Sequence, residues 1–412
     1  MAAVSDRPVT PQEQAILDTV SLEDLEGLTR ALVKAPGENP PGGEAATVSV
    51  LADACVDRGL QCRLSEVEPQ RHNLAATLPG GDGPGLLLLG HTDVVPIGDG
   101  WTVDAVGGQV RGGRLFGRGA SDMKGGLAAC VVAMAALRQA GVKLSGSVEL
   151  AAVVDEEETG KGIRNYLAEQ DRSHFLGCIV AEPTDLQTVV AARGDSYLEI
   201  AVHGRAAHSG NPGDGASAIY GAAMVISHLE RWHRELADRA HPLVGPPTCS
   251  VGQVRGGTGT SIVPDECLVT ADRRLLPGES GETALEDVRA RLASTDLEQR
   301  GLTFDVRLVM EMPGFETQAD HRFVSAANAA LVAAGGPGLP LGGWTAACDG
   351  GFVARDAGVP VVVLGPGSVA QQAHRADESV ALDELLVAAR TYVLTALRLL
   401  APAARGQEWN RR

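Results

Sequence analysis

Apolar positions recur at helical spacing in SLEDLEGLTRALVKA, where Ser21 is placed to cap the helix start. A second helix is expected over about 43–59, then short strands near 61–67 and 72–78. The turn PGGDGPG (79–85) leads into Leu86–Leu89, a continuous apolar run of the kind that is buried on both faces of a sheet. Gly119–Gly126 opens a long helix of small residues that runs to about Ala140. Val148–Val154 and Cys178–Ala181 read as apolar strands separated by a short helix. Strands alternating with helices predict an α/β fold with a mixed, mostly parallel sheet and helices on both faces.

The rhythm changes after about Arg193. Ser196–Val202 alternates like a half-exposed strand, and a helix is expected from about Gly213 to Ala240. Strands near 249–255 and 266–273, a helix over 281–294 and a strand over 302–309 follow. This order predicts a small α+β sandwich inserted into the larger domain. From about 312 the α/β style returns, with a helix at 320–334, the strand Val359–Leu364 and a closing helix over about 380–400. The expected organisation is therefore 14–192 and 312–401 as two parts of one domain, 193–311 as the insert, and 1–13 and 402–412 as polar tails.

Composition narrows the class. Hydrophobic residues make up 44% and charged residues 21%, as in an ordinary globular chain. A formal charge of −17 repels phosphate backbones and anionic lipid, which argues against nucleic-acid and membrane partners. Seven scattered cysteines (55, 62, 130, 178, 249, 267 and 348) form no Cys-x-x-Cys pair, so neither a disulfide framework nor a thiolate zinc site is expected. The start, MAAVSDRPVTPQEQ, has no basic segment followed by an apolar one, and no stretch reaches the roughly 18 apolar residues of a membrane span. The expected location is a reducing cytoplasm. There is no G-x-G-x-x-G after an early strand and no Walker lysine, which argues against a nucleotide-binding fold.

Five places put acidic or histidine residues at the end of an apolar strand or in a Gly-rich turn. These are His91 and Asp93 in LLLLGHTDVVP, Asp122 in GRGASDMKGG, the three consecutive residues Glu156, Glu157 and Glu158 in VVDEEETGKG, Glu182 in CIVAEPTD and His374 in QQAHRADE. Each alone also reads as a solvated loop residue, a helix cap or a surface acidic run. Open α/β sheets gather ligands at the carboxyl ends of their strands, so the five can converge. Two histidines with three or four carboxylates form a nitrogen and oxygen ligand set suited to zinc, cobalt or manganese. Without a thiolate, a two-metal catalytic centre fits better than a closed structural zinc. Consecutive Glu side chains point in different directions, so one can bind metal while its neighbour faces water.

In this order the stretches GHTDVVP, GRGASDMKGG, DEEETGKG, AEPTD, GRAAHSGNPGDGASAI, GGTGTSIVPDECLVTADRRLLPGE and AHRADESV resemble the metallopeptidase family of acetylornithine deacetylase, succinyl-diaminopimelate desuccinylase, aminoacylase and the glutamate carboxypeptidases. The resemblance spans about 22–400. It implies two divalent ions, Zn foremost with Co or Mn as alternatives, with Asp122 bridging them. His91 and Glu182 would complete one site, and Glu157 and His374 the other. Glu156 would be general base and acid, and Asp93 would orient His91. A shift by one residue would make Glu157 the base and Glu158 the ligand, but the spacing to Gly162 favours the first alignment.

In the insert, His208 matches a lid histidine that stabilises the oxyanion, often from the partner subunit. Arg274 matches a binder of the substrate carboxylate, for which its planar fork is suited. Ser261 stands where the family often has Asn, and so bears on substrate contact. The insert would act as a lid and dimerisation domain, giving a C2 homodimer. The implied reaction is hydrolysis of the amide bond of a small N-acyl amino acid. The alternatives are a glutamate-type carboxypeptidase or dipeptidase acting on a short peptide and, from another class, a non-catalytic metal-binding scaffold.

Overall fold

Four parallel strands run side by side at the centre of the larger sheet, in the order Gly146–Val153, Gly83–His91, Phe175–Val180 and Val361–Val363. The antiparallel strands Arg71–Leu78 and Gln61–Glu68 extend one side, and Val189–Ala192 lies antiparallel on the other. In register, His91 stands opposite Val153, Leu89 opposite Val180, and Val180 opposite Val363. The four strands therefore end at nearly one level. Leu86 and Leu88 join the main apolar core while Leu87 and Leu89 point the other way, and all four are buried. This is why the run carries no polar alternation.

The structure, a computed structural model, describes residues 7–402. The chain divides into one unit of Met1–Val190, Thr317–Gly342 and Phe352–Arg412, and another of Ala191–Glu316 and Gly343–Gly351. The core of the first unit is built on the helices Gly125–Gln139 and Leu382–Leu399, which are packed against one another and buried along most of their length. Among the described residues, Ala120–Gln139 is the one helical stretch long and apolar enough to cross a membrane, and most of it is buried inside the fold.

In the second unit, Thr248–Gly256, Glu266–Arg274, Asp195–His203 and Thr303–Met312 form an antiparallel sheet in that order. Its inward positions, Leu198, Ile200, Val202, Val269 and Ala271, are covered by the helices Ala218–Leu236 and Gly281–Ala293.

Two features differ from the pattern-based expectation. Part of the expected N-terminal tail is a helix, Pro11–Leu17, closed by a capping box between Thr10 and Glu13. Glu13 also pairs with Arg7 and with Arg398 of the last helix, a contact 385 residues away that local patterning cannot reveal. The segment Gly343–Gly351 belongs to the second unit, where the Trp344 carbonyl accepts the Arg193 N–H at 3.0 Å. The expected tail beyond 402 lies outside the described residues.

Candidate metal centre

Each of the four parallel strands leads, at its carboxyl end or in the loop that follows, to an acidic or histidine side chain. His91 is the last residue of its strand, Glu156 and Glu157 follow Val153, Glu182 follows Val180, and His374 lies in the loop after Val363. Asp122 sits in the turn before the helix Gly125–Gln139. That helix starts close against the sheet because Gly126 has no side chain: a Cβ there would stand 2.1 Å from the Ala181 carbonyl oxygen.

The Asp122 carboxylate divides the cluster in two. Its Oδ1 lies 3.1 Å from His91 Nε2, which is also 3.4 Å from Glu182 Oε1. Its Oδ2 lies 3.4 Å from His374 Nε2, which is 3.1 Å from Glu157 Oε2. One potential ligand atom each from His91, Asp122 and Glu157 fall within 4.8 Å of one another, as do those from His91, Glu156 and Glu182. The other Glu157 oxygen, Oε1, is buried without a hydrogen-bond partner. An orphaned carboxylate oxygen facing a set of nitrogen and oxygen donors is what cation ligands look like without the cation.

The electrostatics agree. Burial and the charge of Asp122 push Glu182 up to about 8, and the same two causes raise Glu157. Burial opposes charge on Asp122 too, but hydrogen bonds from His374 and His91 hold its carboxyl far below the usual range. Burial alone would lower His91, yet Glu182, Asp122 and Asp93 drive it well above its ordinary value. His374 is held up to about 10 by hydrogen bonds to Asp122 and Glu157. Four carboxylates around two imidazoles leave an excess of negative charge, which two divalent cations would balance. The residues present fit such a pair, with Asp122 shared between them.

Around this cluster the backbone is held from several sides. His91 Nδ1 is 2.9 Å from the main-chain carbonyl of Asp93, nearer than the Asp93 carboxylate at 3.5 Å. The carboxylate also accepts the backbone N–H groups of Glu156 and Glu157. Asn39 Nδ2 donates to both Asp93 and Asp155, at 2.9 and 3.1 Å. Asp155 also accepts from Arg71 at 2.9 Å and from Thr159. Its left-handed backbone, φ 68°, forms the turn that presents the two Glu residues.

Asn39, Arg71, Arg118 and Glu378 were not singled out from sequence. Two lie inside stretches that were, Arg118 in GRGASDMKGG and Glu378 in AHRADESV, and that placement is the only signal they carried.

Within the second unit, His208 is exposed on the short strand Ala207–His208, opposite Ile262, and Ser209 N–H donates to the Ser261 carbonyl. His208 and Ser261 are thus neighbours. His208 Nδ1 accepts the Gly210 N–H at 3.0 Å. Arg274 places its fork on Asp272, at 3.0 and 2.9 Å, and reaches Asp195 at 3.2 Å. Burial, opposed by Arg274 and aided by Asp272, pushes Asp195 up to about 7.

Residues 87–398 match the sequence profile of peptidase family M20/M25/M40. An acetylornithine deacetylase of Vibrio vulnificus is 31% identical over 345 residues, covering 83% of this chain and 88% of its own length. The aminopeptidase PepT of Bacillus cereus has the same fold, with a TM-score of 0.73 at 24% identity over 92% of this chain and 99% of its own. The Bacillus subtilis protein YXEP, described as a dinuclear metal-binding peptidase of the M20 family, aligns with a TM-score of 0.71 at 17% identity, over 94% and 99% of the two chains.

Proposed function

From its membership of peptidase family M20/M25/M40, to which the chain belongs, we propose that this metal-dependent amide hydrolase is a deacylase that frees the amine of a small N-acyl amino acid. The observation that carries the reading is the split of Asp122, one oxygen toward His91 and Glu182 and the other toward His374 and Glu157, with Glu156 beside the first group. Similarity to an acetylornithine deacetylase over most of both chains supports a deacylase rather than a peptidase.

His91, Glu182 and Asp122 would hold one divalent ion, and Asp122, Glu157 and His374 the other, zinc being the first choice for this donor set. When bound, such ions polarise the scissile carbonyl and acidify the attacking water. Glu156 takes the proton from that water and returns it to the departing nitrogen. Asp93 holds the backbone of Glu156 and Glu157, so that base and ligand keep a fixed spacing. His208 is assigned to the oxyanion, and Arg274 with Ser261 to the substrate carboxylate. For Arg274 this requires that a donor beyond the fork held by Asp272 serves the ligand.

We further assign a homodimer. Ile219 and Tyr220 on the helix Ala218–Leu236 and Val254 on the edge strand Thr248–Gly256 are exposed, Tyr220 by 74%. Ile219, Tyr220 and Val254 thus give this helix and edge strand exposed apolar positions for a second copy to cover.

The deciding experiment strips metal with a chelator, restores Zn²⁺ or Co²⁺, and assays a panel of N-acyl amino acids alongside dipeptides and peptides with a C-terminal Glu. Metal-dependent release of amine from the acyl amino acids is expected. Preference for the peptides would replace the deacylase reading with a peptidase one, and no turnover of any member would favour a scaffold.

A further inference from the structure

The Glu378 carboxylate is buried beneath the turn that carries Asp122, and both its oxygens are in use. Oε1 accepts the backbone N–H groups of Ser121 at 2.9 Å and Asp122 at 3.0 Å. Oε2 accepts the Gly119 N–H at 3.0 Å and Arg118 Nη1 at 2.7 Å. The Glu378 carbonyl meanwhile accepts the Gly117 N–H at 2.9 Å, and the next residues, Ser379–Ala381, pair antiparallel with Arg114–Phe116. One side chain thus satisfies three consecutive-turn amides that the irregular backbone around Asp122 leaves without helical partners.

The same residue lies four positions after His374 in a loop pinned at several points. Arg118 donates to the Arg375 carbonyl at 3.2 Å as well as to Glu378, and its other end reaches the carbonyls of Pro96 and Ile97 at 3.3 and 3.1 Å. Asp377 accepts from Thr102, and Gln372 Oε1 accepts the Ser379 N–H at 3.0 Å. The loop holding His374 is therefore built onto the turn holding Asp122, and Glu378 is the joint. Burying this carboxylate is costly unless it is fully hydrogen-bonded, and here it is. An apolar residue at the same place would leave the amides of Gly119, Ser121 and Asp122 and the Arg118 guanidinium without this acceptor, so the side chain places the backbone it binds.

We propose that Glu378 is a positioning residue of the metal centre, fixing the Asp122 carboxylate so that each oxygen faces one histidine. The proposal rests on the reading of Asp122 as the ligand shared by two ions. Because Asp122 is shared, loss of Glu378 weakens both ions together.

The test uses the full chain stripped of metal and titrated with Zn²⁺ against a chromophoric chelator, and with Co²⁺ followed by visible absorption. The wild-type chain is expected to bind two equivalents. Glu378→Ala should weaken both by about 10–100-fold and alter the cobalt spectrum, in the range seen when groups supporting metal ligands are removed. Glu378→Gln keeps one acceptor oxygen but turns an NH₂ toward Arg118 or the amides, so it should fall between the two. Wild-type chain that binds fewer than two equivalents overturns both this proposal and the two-metal reading. Two equivalents in wild type with affinities within twofold in both variants overturn the role of Glu378 alone. So does a variant whose metal-free melting temperature drops while its cobalt spectrum stays put, because that is the mark of a merely structural group. Should Glu378→Ala fail to fold, the comparison of Glu378→Gln with wild type decides by the same criteria.

Discussion

Oδ2 of Asp93 accepts the backbone N–H of Glu157 at 3.1 Å, and its Oδ1 accepts that of Glu156 at 3.2 Å. The expectation for Asp93 was that it orients His91, yet the closest acceptor to His91 Nδ1 is the Asp93 carbonyl at 2.9 Å. The Asp93 carboxylate, 3.5 Å from the same nitrogen, still faces His91 and at the same time holds the turn of the two Glu residues. Asp93→Asn turns an NH₂ toward one of these N–H donors and should lower kcat about 10–100-fold. KM should move less, because the contact sets the catalytic groups and not the substrate. Steady-state kinetics on the metal-loaded enzyme gives the split. An unchanged kcat would mean that the turn holds without Asp93.

Glu156→Gln should lower turnover by at least roughly 100-fold and leave bound metal at the wild-type level. Zinc content by elemental analysis alongside the assay separates the two roles open to this residue. Glu156 lies within ligand distance of His91 and Glu182, so loss of one equivalent of metal would make it a ligand instead of the base.

If His208 serves the partner's active site, two inactive chains should rescue each other. Mixing His208→Ala with Glu156→Gln under conditions that exchange subunits should regain up to about one quarter of wild-type activity, since about half the dimers are mixed and each has one complete site. Mixed dimers with no regained activity would place His208 in its own chain's site, and activity in His208→Ala alone would place it outside catalysis.

Glu13 carries a pH signature well away from the metal centre. Burial opposes its charge, but Arg7, the Thr10 amide and Arg398 together hold it at about 2, against 4.5 when unpaired. Its folded value is depressed, so its contribution to stability is complete above the unfolded value and fades as pH falls from about 4.5 toward 2. Glu13→Gln should cost on the order of 2 kcal/mol near neutrality, and the difference from wild type should shrink through that acid window. Chemical denaturation at a series of pH values measures it.

A methyl group at position 126 would collide with the Ala181 carbonyl, which is backbone and cannot rotate away. Gly126→Ala should therefore destabilise by about 1–3 kcal/mol. Because Ala181 precedes Glu182, metal affinity should fall with it. A melting temperature equal to wild type would show that the helix can back away from the sheet.

The local chemistry of this protein is written in its sequence. Unbroken apolar runs such as Leu86–Leu89 specify strands buried on both faces, because no polar face is left for water. The residues that leave those runs, His91, Glu156, Glu157 and Glu182, read singly as loop or surface groups, and only their repetition at strand ends, in the order of a known family, marks them as a set. The order of strands in the sheet was decided only in three dimensions, since hydrogen bonds between strands depend on pairing across long stretches of chain. So was the support of the site. Glu378 meets Asp122 across 256 residues, and Asn39 meets Asp155 across 116. A carboxylate or amide that acts by accepting or donating a main-chain hydrogen bond leaves no periodicity and no spacing of its own, so its partner exists only once the fold has closed.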